Sequence, residues 1–265
     1  MKRIILATTA LLALAAALPA LAADYPLTND LRPAYSERWQ PGAGKDDIDF
    51  EFGAAYWYSW GAQNVTLTSN GASLFSERDN TSIVDVHGRI DDLYTNTYLL
   101  GRAGIGLDTR GTYSVLGFDG DIGRQSLIGY GGVDYGWLPF GQLREGVAFG
   151  GFAGYHYWKE YVDMGVNTNV DINALRLGLR ATADFTTFDV QSEVAAVPYA
   201  YVNGPGPVND RAYGVMTETM VGFRPTDNIS LRVGGRAWYL KNAGTDFVGA
   251  DIMRYGLMAE VTGRF

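Results

Sequence analysis

The chain has 265 residues, of which 19% are charged and 13% aromatic; it carries 34 glycines, no cysteine and a formal net charge of −8. The missing cysteines exclude disulfides and thiolate metal sites, and the acidic balance argues against a nucleic-acid partner. A mean hydropathy of −0.07 suits a soluble β domain, and equally a membrane barrel in which only alternate residues meet lipid.

In chain order, Lys2 and Arg3 precede an apolar run from Ile4 to Leu18, broken by Pro19 and followed by Ala20-Leu21-Ala22. This is a charged region, an apolar core and a small-residue cleavage site, so residues 1–22 read as a signal peptide. Its removal takes two of the 21 basic residues and none of the 29 acidic ones, leaving −10. No later stretch is apolar for the roughly 18 residues that a helical span needs. Residues 23–46, punctuated by Pro26, Pro33, Pro41, Gly42 and Gly44, read as a periplasmic N-terminal arm.

From residue 47 a two-residue period takes over, the signature of strands with one apolar and one polar face. The first strand, 48–60, sets Ile48, Phe50, Phe52, Tyr56 and Tyr58 against Asp49, Glu51, Trp57 and Ser59. A polar loop is expected to follow it. The second strand, 81–90, sets Val84 and Val86 against Asp85, His87 and Arg89. The third, 94–107, points Leu99, Ala103 and Ile105 outward and Arg102 inward, and leads to a long loop over 108–125. The fourth, 126–138, opposes Val133, Tyr135 and Trp137 to Asp134; residues 139–146 make a turn. The fifth, 147–161, opposes Val147, Phe149, Ala153 and Tyr155 to His156, Trp158 and Glu160. The sixth, 172–185, is the cleanest, with Leu175, Leu177 and Leu179 between Arg176, Gly178, Arg180 and Asp184. The seventh, 188–201, opposes Val190 and Val194 to Gln191 and Glu193; the eighth, 212–223, turns Glu218 inward. The ninth, 229–240, alternates Leu231 and Val233 with Arg232 and Arg236. The closing strand presents Tyr255, Leu257, Ala259, Val261 and Phe265 on one face, with Arg254, Glu260 and Arg264 on the other.

The expected architecture is therefore all-β: one closed, ten-stranded antiparallel transmembrane β-barrel over residues 47–265. Loops after odd strands read long and turns after even strands short, as in outer-membrane barrels with both termini in the periplasm. The expected location is the outer membrane of a Gram-negative bacterium. Its lipid, its lipopolysaccharide and the barrel-assembly machinery are the expected partners. The terminal strand with its last Phe265 resembles the signal which that machinery reads.

The inward faces collect charges of both signs. Their expected ion-pair network comprises Glu51, Asp85, Arg89, Arg102, Asp134, Glu160, Arg176, Arg180, Asp184, Glu193, Glu218, Arg232, Arg236, Arg254, Glu260 and Arg264. Unpaired charges are costly in a narrow lumen and arginine binds carboxylates bidentately, so the set points to a plug rather than an open channel. His87 and His156 fall on inward faces, and nothing in their spacing demands a metal. No nucleophile elbow, H-E-x-x-H or P-loop is present, and neither cofactor nor metal is expected.

Ten strands, Gly154-Tyr155-His156-Tyr157, and Leu175-Arg176-Leu177-Gly178-Leu179 followed by Phe188-Asp189-Val190 resemble the omptin family of outer-membrane proteases. The resemblance implies an Asp-x-Asp pair in the second outer loop and an Asp-x-His pair in the fourth. Asp119-Gly120-Asp121 matches the first; Asp210-Arg211-Ala212 matches the second, except that Ala212 stands where the histidine belongs. Asp119, Asp121 and Asp210 are thus the catalytic candidates, without the imidazole that would activate water. The stretches Ala23-Asp24-Tyr25, Phe52-Gly-Ala-Ala-Tyr56 and Gly88-Arg-Ile-Asp91-Asp92 also resemble uncharacterised alphaproteobacterial barrel proteins. Three functions compete: a structural or surface-interaction barrel, an omptin-like endopeptidase, and a small-solute pore.

Overall fold

The computed structural model describes residues 48–123, 126–163, 167–204, 210–242 and 248–265. The expected signal peptide and periplasmic arm lie outside these residues. The strands are β1 (Ile48–Leu67), β2 (Ser73–Asp92), β3 (Thr97–Val115), β4 (Phe118–Asp121), β5 (Leu127–Gln142), β6 (Glu145–Asp163), β7 (Asn167–Asp184), β8 (Phe188–Asn203), β9 (Asp210–Thr226), β10 (Ile229–Asn242) and β11 (Val248–Arg264). Every pairing is antiparallel, and all join chain neighbours except β1 with β11 and β3 with β5. Pairing of β1 with β11, and of β2 with β3, closes the ring. Ten strands form the wall. β4 stands outside it, folded back on the end of β3.

Alternation decides which side each residue takes. Phe52, Val233 and Leu257 are 59%, 64% and 66% exposed, whereas Trp57 and Ile83 are fully buried. The exposed apolar side chains form a continuous outer band around all ten wall strands. Soluble monomers rarely expose an apolar patch beyond a few hundred Å²; such a band belongs against hydrocarbon.

The wall strands are longer than the sequence pattern suggests. They run 14 to 20 residues, against the roughly 9–11 that cross a bilayer. Residues 61–67 and 73–80, expected as loop, are paired with each other and close through Gly71 at φ +70°. Residues 108–115, also expected as loop, continue β3 and turn into β4 through Leu116 and Gly117, both at positive φ. The expected turn 139–146 shrinks to 143–144, because β5 runs on to Gln142 and β6 starts at Glu145. In the β1–β2 extension the outward residues, among them Asn64, Arg78 and Asn80, are polar, so the alternation fades while the backbone ladder continues. The turn 139–146 lies at the opposite end, where Pro139 and Gly141 interrupt the two-residue pattern while β5 and β6 stay paired.

Proline accounts for several of the irregularities. Pro139, Pro198 and Pro225 lie within strands, and each falls at a register shift with the neighbouring strand. Without an N–H, proline cannot donate to the ladder, so the strand skips there. The last residue is tied in by its backbone: Phe50 N–H donates to Phe265 O at 3.2 Å and Phe265 N–H to Phe50 O at 2.9 Å.

Candidate functional site: the lumen and the outer rim

The inward faces meet in the lumen as stacked layers. At the end carrying the short turns, Glu51 on β1 accepts from Arg144 (2.8 Å), Arg232 (3.1 Å) and Arg264 (3.1 Å). Arg232 also donates to Glu260 (2.9 Å) and Asp189 (2.7 Å). Arg264 reaches Asp184 at 3.1 Å, and Arg224 donates to the same carboxylate. Arg89 donates to Asp91 at 2.7 Å, which Arg144 also meets. The His87 ring lies 3.6 Å from both Glu51 and Glu260. It fits because residue 53 is glycine: a Cβ there would come within 2.2 Å of His87 Cε1.

The middle layer bridges opposite walls. Arg102 on β3 donates to Glu218 on β9 at 2.9 Å, and Arg236 on β10 donates to Glu218 at 2.6 Å and to Asp85 on β2 at 3.1 Å. Arg176 joins Glu193 (2.6 Å) and Asp134 (3.4 Å), while Arg180 joins Glu193 (3.4 Å) and Gln191 (2.6 Å). β3 and β9 are five places apart in the ten-strand ring, so the Arg102–Glu218 pair crosses the full width of the lumen.

An aromatic layer follows. Trp57, Tyr130, Trp158 and Trp238 pack edge-on or stacked at 5.3–6.4 Å between ring centroids. The Arg236 guanidinium sits 5.1 Å over Trp57, and that of Arg254 5.4 Å over Trp158, in the range for cation–π attraction. His156 packs against Tyr130, and neither of its ring nitrogens has a hydrogen-bond partner. Beyond the aromatics, Arg254 donates to both oxygens of Asp79 (2.8 and 2.9 Å), to Glu160 (2.6 Å) and to Ser59 (3.1 Å).

All sixteen residues expected in the lumen face it, and each takes part in the contacts just described. Among the described residues, the same lumen also takes in Glu77, Asp79, Asp91, Arg144, Asp189 and Arg224, with Asp49 beside Arg144. Strand parity gives away Asp91, two places beyond Arg89, and likewise Asp189 and Arg224. Glu77 and Asp79 share the parity of Asp85 but lay in a stretch read as loop. Arg144 has no strand signal: it is a turn residue at φ +68° whose side chain folds back among Asp49, Glu51 and Asp91.

The catalytic candidates lie elsewhere. Asp119 and Asp121 are exposed on β4, opposite Ser114 and Thr112 of β3. Asp210 is the first residue of β9, in register with Val202. Ala212 is buried on the inward side. Neither imidazole is at this rim: His87 stands between Gly53 and Arg102 in register, and His156 between Gly132 and Ala174. The residues of the expected assembly signal, Tyr255, Leu257, Val261 and Phe265, are exposed on the outer face, as is Ala259.

Comparison with known proteins places the fold. No family model matches the chain, and no curated protein matches its sequence. The outer membrane protease OmpT from Escherichia coli is structurally similar with a TM-score of 0.57 at 10% identity, over 83% of this chain and 97% of that one. The translocator domain of the autotransporter NalP from Neisseria meningitidis aligns at a TM-score of 0.34 and 12% identity, over 80% and 88%. The Pseudomonas putida toluene transporter TodX aligns at 0.27 and 8%, over 84% and 91%. At 10% identity the first of these likenesses concerns the fold, a closed outer-membrane-type barrel, and the other two carry no further argument.

Proposed function

We propose that this chain is an integral outer-membrane barrel with a structural or surface-interaction role, its lumen closed by a plug of paired arginines and carboxylates. The observation that carries the reading is the set of pairs spanning opposite walls, Arg102–Glu218 and Arg254–Glu160. An aromatic layer lies between them. Side chains that meet across the lumen at hydrogen-bond distance occupy its centre, which supports a closed lumen. Buried pairs of this kind are weak evidence for stability, because desolvation offsets most of their attraction. Their consequence is occupancy and a fixed register between walls.

The outer band supports the location and its lipid partners; the terminal strand supports recognition by the barrel-assembly machinery. An endopeptidase reading needs a base beside Asp119, Asp121 and Asp210, and both histidines are in the lumen. Liposome swelling tests the closed lumen. Vesicles carrying the refolded barrel should swell in isotonic small sugars no faster than empty ones, and size-dependent swelling would favour the pore. In the same preparation, peptides with basic cleavage sites should remain intact. Cleavage abolished by Asp119→Asn would favour the protease instead.

A further inference from the structure

We propose that the outer end of the lumen binds one hard divalent cation, of the Ca²⁺ or Mg²⁺ class, on Glu77, Asp79 and Glu160. One oxygen from each carboxylate lies within 4.8 Å of the others, and all three residues are buried. β2 supplies Glu77 and Asp79 from adjacent inward positions, and β6 supplies Glu160. Such a cluster alone is ordinary; Glu77 makes this one different. Among the described lumen residues, every other carboxylate meets an arginine. Glu77 is 4% exposed, its Oε1 has no hydrogen-bond partner, and one of its carboxylate oxygens lies within 4.8 Å of oxygens of Asp79 and Glu160. A buried carboxylate oxygen without a partner is costly, and a cation between the three groups removes that cost.

Charge and donor type agree. Arg254 is the sole arginine hydrogen-bonded to Asp79 and Glu160 among the described contacts. Three carboxylates against one guanidinium leave two negative charges, and one divalent cation brings the cluster to neutrality. The donors are all oxygens, the preference of hard cations; no imidazole or thiolate is present to favour zinc. Thr81 Oγ1 donates to Asp79 at 2.7 Å and holds that carboxylate in place. Gln63, opposite Glu77 in register and also buried, stands on the same face with a further amide group. The proposal is separate from the closed-lumen reading, because a cation at the outer end neither opens nor closes the layers below it.

The test uses the refolded mature barrel, stripped with EDTA and titrated with Ca²⁺ by calorimetry and with Tb³⁺ by luminescence excited through tryptophan. Trp158, two residues from Glu160 on β6, is the expected sensitiser. The wild type should bind one ion per barrel and unfold at a higher temperature in Ca²⁺ than in EDTA. Glu77→Gln should weaken binding by about tenfold or more and abolish the EDTA effect, while still refolding by the heat-shift criterion. Should Glu77→Gln not refold, native mass spectrometry of the wild type decides, by the presence or absence of one bound Ca²⁺. No saturable binding by the wild type, or unchanged binding by Glu77→Gln, would overturn the proposal. So would EDTA-insensitive melting together with a fully stable Glu77→Gln, which points to a protonated Glu77 instead.

Discussion

Arg232 shows how much rests on a single side chain. It is 2% exposed and holds Glu51, Glu260 and Asp189 together. Its truncation leaves Glu260 with no arginine and takes one partner each from Glu51, which keeps Arg144 and Arg264, and Asp189, which keeps Arg224; removing one member of such a buried set costs more than the pairs contribute when intact. Arg232→Ala should lower stability by about 3–5 kcal/mol, read as a fall in the urea midpoint of the barrel in detergent micelles. Replacing Arg110 with Ala, whose pair with Asp108 is exposed, should change stability by less than about 1 kcal/mol. Equal effects at the two positions would contradict a buried, mutually dependent lumen. At this scale the sequence was informative wherever parity applied, and Arg232 was legible as an inward charge from its neighbours Leu231 and Val233. It was blind to Arg144, whose inward direction depends on a left-handed turn conformation that no local pattern announces.

At the scale of the strand, lipid and ladder set different lengths. The ladder of β1 and β2 runs to Leu67 and Ser73, but the apolar outward positions stop near Tyr58 and Val84. Beyond them the outward residues include Asn64, Arg78 and Asn80. Alternation made the lower halves legible because one face meets hydrocarbon. The upper halves were misread as loops because their outward faces meet water, and hydrogen bonding between polar strands leaves no two-residue signature. The division is measurable. Val233→Arg, on a lipid-facing mid-strand position that is 64% exposed, should cost about 2–4 kcal/mol in vesicles. Asn64→Arg, on an outward position of the β1 extension, should cost less than about 1 kcal/mol. A reversed order in reversible urea titrations of folding into vesicles would place the membrane at the wrong height.

The ten wall strands form a closed ring that solves two problems at once. Closure leaves no open edge among the ten wall strands, as a membrane demands, and it brings distant segments of chain together inside. Arg102–Glu218 is separated by 116 residues and Arg254–Asp79 by 175. Ring closure was legible from the even strand number and the sorted loops. The identity of each cross-lumen pair was not, because partners five strands apart carry no signal in a single sequence. The hydrogen-bonded ring should also resist detergent, so unboiled and boiled samples should migrate differently in gels; identical migration would count against the barrel. The central claim, a lumen closed by cross-wall pairs, is tested most directly by single-channel recording in planar bilayers. The wild-type barrel should insert without steady conductance steps, and Arg102→Ala combined with Glu218→Ala should open brief ones. Steady, reproducible conductance steps from the wild type would contradict the account.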